Sequence, residues 1–84
     1  MNKDKAVMIL KRDKKNLNVD IEVPLNITAN ELISGLNEAY ELKIDTSDIK
    51  KCYLKAENPF VLLKGNRLLS ELGIRNGTII NYTE

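Results

Sequence analysis

The C-terminal part of the chain most constrains the fold, because it holds two strand-like segments separated by two tight turns. Residues 61–63 and 78–82 are mostly β-branched, aromatic or leucine side chains, as in short strands. Lys-Gly-Asn-Arg at 64–67 and Asn-Gly at 76–77 are typical of turns, since glycine takes a positive φ without steric cost. Residues 68–73 can form one helical turn that ends at a glycine. Two short strands cannot bury a face alone, so this unit must complete a sheet begun upstream.

Two segments near the N-terminus have the patterns of paired strands. Residues 6–10 are a continuous apolar run, and residues 17–23 alternate apolar and polar side chains with a period of two. The polar residues 11–16 between them suit a turn, so an antiparallel hairpin is the economical pairing. Pro24 lacks a ladder donor and is expected to end the second strand.

A helix is predicted over residues 29–41. Thr28 and Glu31 have the spacing of a capping box, in which each side chain bonds the backbone amide of the other residue. One apolar stripe follows at helical spacing and consists of Leu32, Ile33, Leu36, Ala39 and Tyr40. The loop after the helix is expected to be anchored from below by Ile44 and Ile49.

Residues 51–56 alternate again and predict a third strand. Cys52, Leu54 and Ala56 form the inward set, whereas Lys51, Tyr53 and Lys55 point outward. The predicted order is therefore β-β-α-β-β-β, with a short helical turn before the last strand. One helix packed on a mixed sheet is an α+β fold, and the last strand should return beside the first. We expect a single domain over residues 1–84, with residues 1–5 mobile.

The composition provides no set of residues for catalysis. The chain has no histidine and one cysteine, Cys52, so the commonest general base and metal ligand are absent and no thiolate cluster can form. Neither glycine turn has the spacing of a phosphate-binding loop. We therefore expect no catalytic residue, no cofactor and no metal site, and predict that the protein is not an enzyme.

Charge and hydropathy limit the partners and the location. A formal net charge of +1 gives no global field that would attract nucleic acid or an anionic membrane. No apolar run approaches the roughly 20 residues that a membrane span needs. The run at 6–10 is also shorter than a signal-peptide core, which has about 7–15 apolar residues. We expect a cytoplasmic protein that binds proteins, without nucleic acid and without membrane insertion.

The outward sheet face is the predicted partner surface. On the last strand Ile79 is expected to face inward, which turns Ile80 and Tyr82 outward; on the first strand, either Val7 and Ile9 or Met8 and Leu10 must face away from the helix. Neighbouring outward apolar residues would form a patch of the kind that marks a partner site or a homodimer contact. The residues predicted to form this surface are Lys51, Tyr53, Lys55, Ile80 and Tyr82.

The order of elements and the turns at 62–68 and 72–79 resemble ubiquitin-like β-grasp domains. Within them the chain is most similar to the YukD/EsaB group of small bacterial ubiquitin-like proteins, over about residues 6–82. One departure is Thr78, where an acidic residue is common. The resemblance implies a cytosolic accessory or regulator of the type VII (ESX/WXG-type) secretion system of Gram-positive bacteria, and it does not imply an enzyme.

Two alternatives remain open beside that resemblance. The first is a ubiquitin-like adaptor unrelated to secretion, which gene neighbourhood would distinguish. The second is a carrier or modifier, because ubiquitin and related sulfur carriers act through a tail that ends in Gly-Gly. The last four residues here are Asn-Tyr-Thr-Glu, so the sequence disfavours that chemistry.

Overall fold

The computed structural model describes residues 4–83, which form five strands and one helix in the predicted order. The strand order in the single sheet is β2-β1-β5-β3-β4. This arrangement confirms the α+β, β-grasp prediction. The elements are β1 (Lys5–Arg12), β2 (Leu17–Pro24), α1 (Ala29–Tyr40), β3 (Leu54–Glu57), β4 (Val61–Leu63) and β5 (Ile79–Tyr82).

The last strand lies beside the first, as predicted, and makes the sheet mixed. β5 pairs parallel to β1, with Ile9 opposite Ile79, and antiparallel to β3, with Lys55 opposite Asn81. β1–β2 and β3–β4 are antiparallel pairs. β5 is therefore the central strand that joins two hairpins into one sheet.

The helix begins at a complete capping box. The Thr28 hydroxyl accepts from the Glu31 amide at 3.1 Å, and a Glu31 carboxylate oxygen accepts from the Thr28 amide at 2.9 Å. The next amides donate outside the helix, from Ala29 to the Arg67 carbonyl and from Asn30 to the Gly65 carbonyl, both at 3.0 Å. The glycine turn at 64–67 thus satisfies donors that a helix N-terminus leaves unpaired.

The helix ends with Glu41 in the left-handed conformation, at φ 52°. Its last turn carries no basic residue. Arg12 of β1 supplies a cation instead, because its guanidinium donates to the Tyr40 carbonyl at 3.2 Å and is largely buried. A positive charge at a helix C-terminus is favourable, since the last carbonyls carry partial negative charge.

One hydrophobic core lies between α1 and the sheet. On β1, Met8 and Leu10 are fully buried whereas Val7 is half exposed, which decides the alternative that the sequence left open. The other large side chains that are fully buried are Ile33, Leu42, Leu63, Leu69 and Ile80.

The prediction for the facing of β5 is wrong. Ile80 has 0% exposure and lies opposite Leu10 and Ala56, both buried, whereas Ile79 is only half-buried. Tyr82, two residues after Ile80, packs against the same core. The physical reason is register: pairing with β1 and β3 places Ile80 and Tyr82 on the helix side, so Ile79 and Asn81 point away from it.

Thr78 is buried immediately before β5. Its hydroxyl donates to the Asn58 carbonyl at 2.8 Å and accepts from the Arg75 amide at 3.1 Å. A carboxylate could accept from that amide but could not donate to the carbonyl while ionised. This donor role accounts for a threonine at a position where the sequence departs from the resemblance.

Two smaller predictions also need correction. Ile49 does not anchor its loop, because it is 84% exposed, whereas Ile44 packs against the core as expected. β3 begins at Leu54, because residues 51–53 form a turn and an irregular segment before it. Lys5 is the first residue of β1. The expected mobility of residues 1–5 stays a prediction, and residues 1–3 lie outside the described residues. In residues 4–83, no helix is long and apolar enough to cross a membrane.

Candidate partner-binding surface

The face of the sheet that points away from α1, here called the outer face, is arranged in cross-strand rows. One row crosses all five strands and runs from Asn18 through Lys11, Asn81 and Lys55 to Leu62. Directly opposed side chains lie about 4.5–5.5 Å apart at Cβ, so neighbours in this row are in reach of one another. The row places Asn81 between two lysines, with a half-exposed leucine at its edge.

The next row of the outer face is apolar at its centre and acidic on both sides. Ile9 and Ile79 are opposite each other, flanked by Asp20 on β2 and by Glu57 on β3. The Asn81 amide donates to a Glu57 carboxylate oxygen at 2.6 Å and so links the two rows. The outer face therefore offers a small apolar centre within a border of mixed charge.

A groove opens where β3 and β5 stop pairing. The last paired positions at this end are Lys55 on β3 and Asn81 on β5. The residues just before Lys55 and just after Asn81 line the groove. The cavity has a volume of about 560 Å³, in the range of ligand-binding clefts. We call it the lysine groove; its lining residues are Lys43, Ile44, Asp45, Lys50, Lys51, Tyr53, Leu54, Lys55, Asn81, Tyr82 and Thr83.

Positive charge dominates the lysine groove. Its lining contains four lysines and a single carboxylate, that of Asp45. The Ser47 hydroxyl and amide donate to an Asp45 carboxylate oxygen at 2.6 and 3.1 Å and hold the pKa of that carboxyl below its ordinary value, with Lys51 adding a smaller effect. Asp45 is therefore ionised at neutral pH, and its negative charge offsets one of the four lysine charges.

Tyr82 forms part of one wall of the groove and is held in place by two contacts. Its hydroxyl donates to the Leu42 carbonyl, and its ring lies 5.6 Å from the Arg12 guanidinium carbon. The guanidinium is thus held between an aromatic face and the end of α1, an arrangement in which cation–π attraction is favourable. These contacts immobilise the ring, which leaves Tyr53 as the exposed aromatic side chain of the groove.

The structure brings four of the five predicted surface residues together. Lys51, Tyr53, Lys55 and Tyr82 all line the lysine groove. Ile80 does not belong with them, because it is buried in the core. The inference that these residues contact a partner stays a prediction.

Sequence reasoning missed seven of the eleven lining residues, among them the polar residues Lys43, Lys50 and Asn81. A signal for the lysines was present, because residues 43–55 hold four of the chain's thirteen basic residues. For Asn81 the signal was the polar side chain itself, which indicates that odd-numbered positions of β5 face away from the core.

The described part of the chain has no arrangement suited to metal or thiol chemistry. Among residues 4–83, no group of three or more Cys, Asp and Glu side chains could hold a metal ion. Cys52 is buried, and its thiol lies 3.8 Å from the Asn30 side-chain oxygen.

The sequence matches a family described as "WXG100 protein secretion system (Wss), protein YukD" over residues 6–81. The chain belongs to the YukD family. This confirms the predicted resemblance, and the match covers every strand from Ala6 of β1 to Asn81 of β5. None of the curated proteins compared with the chain matches its sequence significantly.

Solved structures share the YukD-like fold of this chain at low sequence identity. The C-terminal ubiquitin-like domain of mouse tubulin-specific chaperone e superposes with a TM-score of 0.72 at 15% identity, over 95% of this chain and 86% of that one. A ubiquitin-like domain from tubulin-binding cofactor B gives 0.73 at 14% identity, over 96% and 90%. Tubulin-binding cofactor B of Trypanosoma brucei gives 0.63 at 10%, over 95% and 94%. These likenesses support the ubiquitin-like fold.

Proposed function

We propose that this chain is a non-catalytic protein-interaction module that serves as a cytoplasmic accessory or regulator of a WXG100 (type VII) secretion system in a Gram-positive bacterium. The family match over residues 6–81 carries this proposal. A family named for a secretion system makes its components the first partners to test.

The geometry supports a binding role through the outer face and the adjoining lysine groove. Val7, at 47% exposure, and Tyr53, at 39%, are large apolar side chains held on or beside a rigid sheet. Large side chains on a rigid element lose little conformational entropy when a partner covers them, and tyrosine is enriched at interfaces. Lys51 and Lys55 supply charge at the margin of this surface.

The proposal is tested by capturing secretion components from the native organism with the purified protein as bait. Wild-type bait should retain the membrane ATPase or a WXG100 protein, and Val7→Lys with Tyr53→Ala should lose at least about 90% of it. Two half-exposed interface residues together contribute about 2 kcal/mol or more, which corresponds to that loss.

A matched control separates loss of the surface from a general effect of the substitution. Ile49→Lys makes a comparable change at a side chain that is 84% exposed and lines a separate cavity, beside Asn30 and Cys52, rather than the lysine groove. Retention should be unchanged for this variant. Recovery of no secretion component by the wild type, or equal recovery by wild type and double variant, would contradict the proposal.

A second candidate is a ubiquitin-like adaptor that serves another assembly. The observation that favours it is the superposition on ubiquitin-like domains of tubulin-binding cofactors, which are named for a different partner. The genomic neighbourhood distinguishes the two candidates. Adjacent genes for WXG100 substrates and a membrane ATPase support the secretion role, and their absence supports the adaptor.

A further inference from the structure

We propose that the lysine groove is the docking site for an acidic, extended segment of a partner protein, a peptide rich in aspartate and glutamate. This inference rests on the proposed function as an interaction module. It goes further by naming the chemistry of the ligand and the residues that recognise it.

The distribution of charge is the first observation. The groove carries a formal charge of +3, from four lysines and one aspartate, although the whole chain carries only +1. The remaining residues therefore sum to −2. A basic site on an otherwise slightly acidic molecule selects for a ligand with local negative charge, and it steers that ligand toward the groove.

The lysines of the groove are also available for an external partner. Among residues 4–83, the ion pair within 4.0 Å is Arg67–Glu71, outside the groove. The ammonium groups of Lys43, Lys50, Lys51 and Lys55 have no carboxylate at that distance within the described chain. Lysine ammonium groups pair with carboxylates as compact charges on flexible stems, so they can adapt to a peptide without a fixed geometry.

The shape of the groove favours a peptide over other anionic ligands. The groove lies between the separating ends of two antiparallel strands, with Leu54 on one wall and Tyr82 and Thr83 on the other. An elongated cleft between such walls has room for an extended segment, whose carboxylates would lie within reach of the lysines along it. Tyr53 stands at the exposed margin, where it can pack against an apolar side chain of the same segment.

A nucleic acid or an anionic membrane is less suited to this site. Single-stranded nucleic acid stacks successive bases on exposed aromatic rings, but Tyr82 packs against the core, and Tyr53 is the one exposed ring that lines the groove. A longer polyanion or a flat membrane would also meet Glu57 and Asp20 on the adjoining outer face. A short carboxylate-rich segment needs no row of aromatic rings, and it can bind in the groove without extending over Glu57 and Asp20.

Fluorescence anisotropy with the purified chain and a labelled peptide of alternating glutamate and serine tests the proposal. Wild-type protein should bind the peptide, and affinity should fall as salt is raised, because exposed charge pairs are screened. Lys51→Glu with Lys55→Glu should weaken binding at least tenfold. The variant loses two exposed charge pairs with the peptide, and the reversed charges also repel it.

A control variant with the same change in net charge is Lys5→Glu with Arg75→Glu. Both side chains are exposed and lie near the starts of the parallel strands β1 and β5, whereas the groove lies beyond the end of β5. Binding by this variant should stay within about twofold of the wild type. Circular dichroism checks that both variants keep the fold.

Three results would overturn the inference. They are no binding of the peptide by the wild type, equal weakening by the two variants, and tighter binding of oligo-dT or of phosphatidylserine vesicles than of the peptide through the same two lysines. Capture of secretion components is measured separately. Groove variants that lose the peptide but retain those components would leave the proposed function intact and remove the groove from it.

Discussion

Replacement of Ile80 by alanine tests the facing of the central strand. Ile80 is fully buried, and the change removes three carbon atoms from between β1, β3 and α1. At about 0.8 kcal/mol per buried carbon group, the lost transfer free energy is about 2.4 kcal/mol. The cavity left behind adds about 1 kcal/mol, because a central strand relaxes little. We expect the free energy of unfolding to fall by about 3.5 kcal/mol.

The matched control is Ile79→Ala on the same strand. Ile79 is half-buried on the outer face, so its truncation should cost about 1 kcal/mol. Urea denaturation followed by circular dichroism gives both values from linear extrapolation. For a domain of this size, the loss at Ile80 corresponds to a fall in Tm of about 14–28 °C.

The loss expected for Ile80→Ala is a substantial part of the total free energy of unfolding, which is roughly 4–13 kcal/mol for a domain of 84 residues. If Ile80→Ala fails to fold, Ile80→Val provides the comparison, with an expected cost of about 0.5–1.5 kcal/mol. An Ile79→Ala variant that loses as much stability as Ile80→Ala, or more, would refute the assignment of the inner face of β5.

Three further predictions follow from local contacts. Thr78→Val should lower the free energy of unfolding by about 1–2 kcal/mol in urea denaturation, because the hydroxyl that donates to the Asn58 carbonyl is removed. Glu41→Gly should raise it by about 0.5 kcal/mol in the same assay, since glycine adopts the left-handed conformation at φ 52° without a Cβ clash. Ser47→Ala should raise the pKa of Asp45 toward 3.8 in an NMR titration of the side-chain carboxyl.

The sign of the Asp45 effect follows from the lowered pKa of the folded state. The stabilisation is present above the unfolded pKa and is lost as pH falls through the folded pKa. An unchanged Asp45 pKa in Ser47→Ala would show that the hydroxyl is not its cause. Thr78→Ser, which keeps the donor, should retain most of the stability that Thr78→Val loses, and Glu41→Ala should not reproduce the gain from Glu41→Gly.

The sequence was sufficient for features that depend on local chemistry. The capping box at Thr28 and Glu31 is defined by spacing alone, and the alternation at 17–23 shows which side chains face the core. The glycine turns were readable for the same reason, because Gly65, Gly73 and Gly77 all take positive φ values. Each of these signals acts over a few residues.

The facing of β5 depended on pairing over long sequence separations. Two adjacent isoleucines, Ile79 and Ile80, give no alternation, so the polar Asn81 was the local signal for the facing of β5. The register of β5 with β1 and β3 fixes that facing. A shift of one position moves every side chain to the other face. The four lysines at 43–55 were visible in the sequence. The groove that they line was not, because it exists only where two strands distant in sequence separate.

The central position of β5 has a consequence for synthesis. The strand that joins the two hairpins is the last of the five to be translated, and its partner in β1 precedes it by about 70 residues (Ile9 with Ile79). Pairing at such separation is slow to form, since loop closure comes before the stabilising contacts. While the ribosome still holds residues 79–82, the nascent chain can form the two hairpins and the helix but lacks the strand that joins them, so part of the apolar surface that becomes the core stays uncovered. Chaperones that recognise exposed apolar surface would meet this chain in that interval, and release of its last strand would end their access.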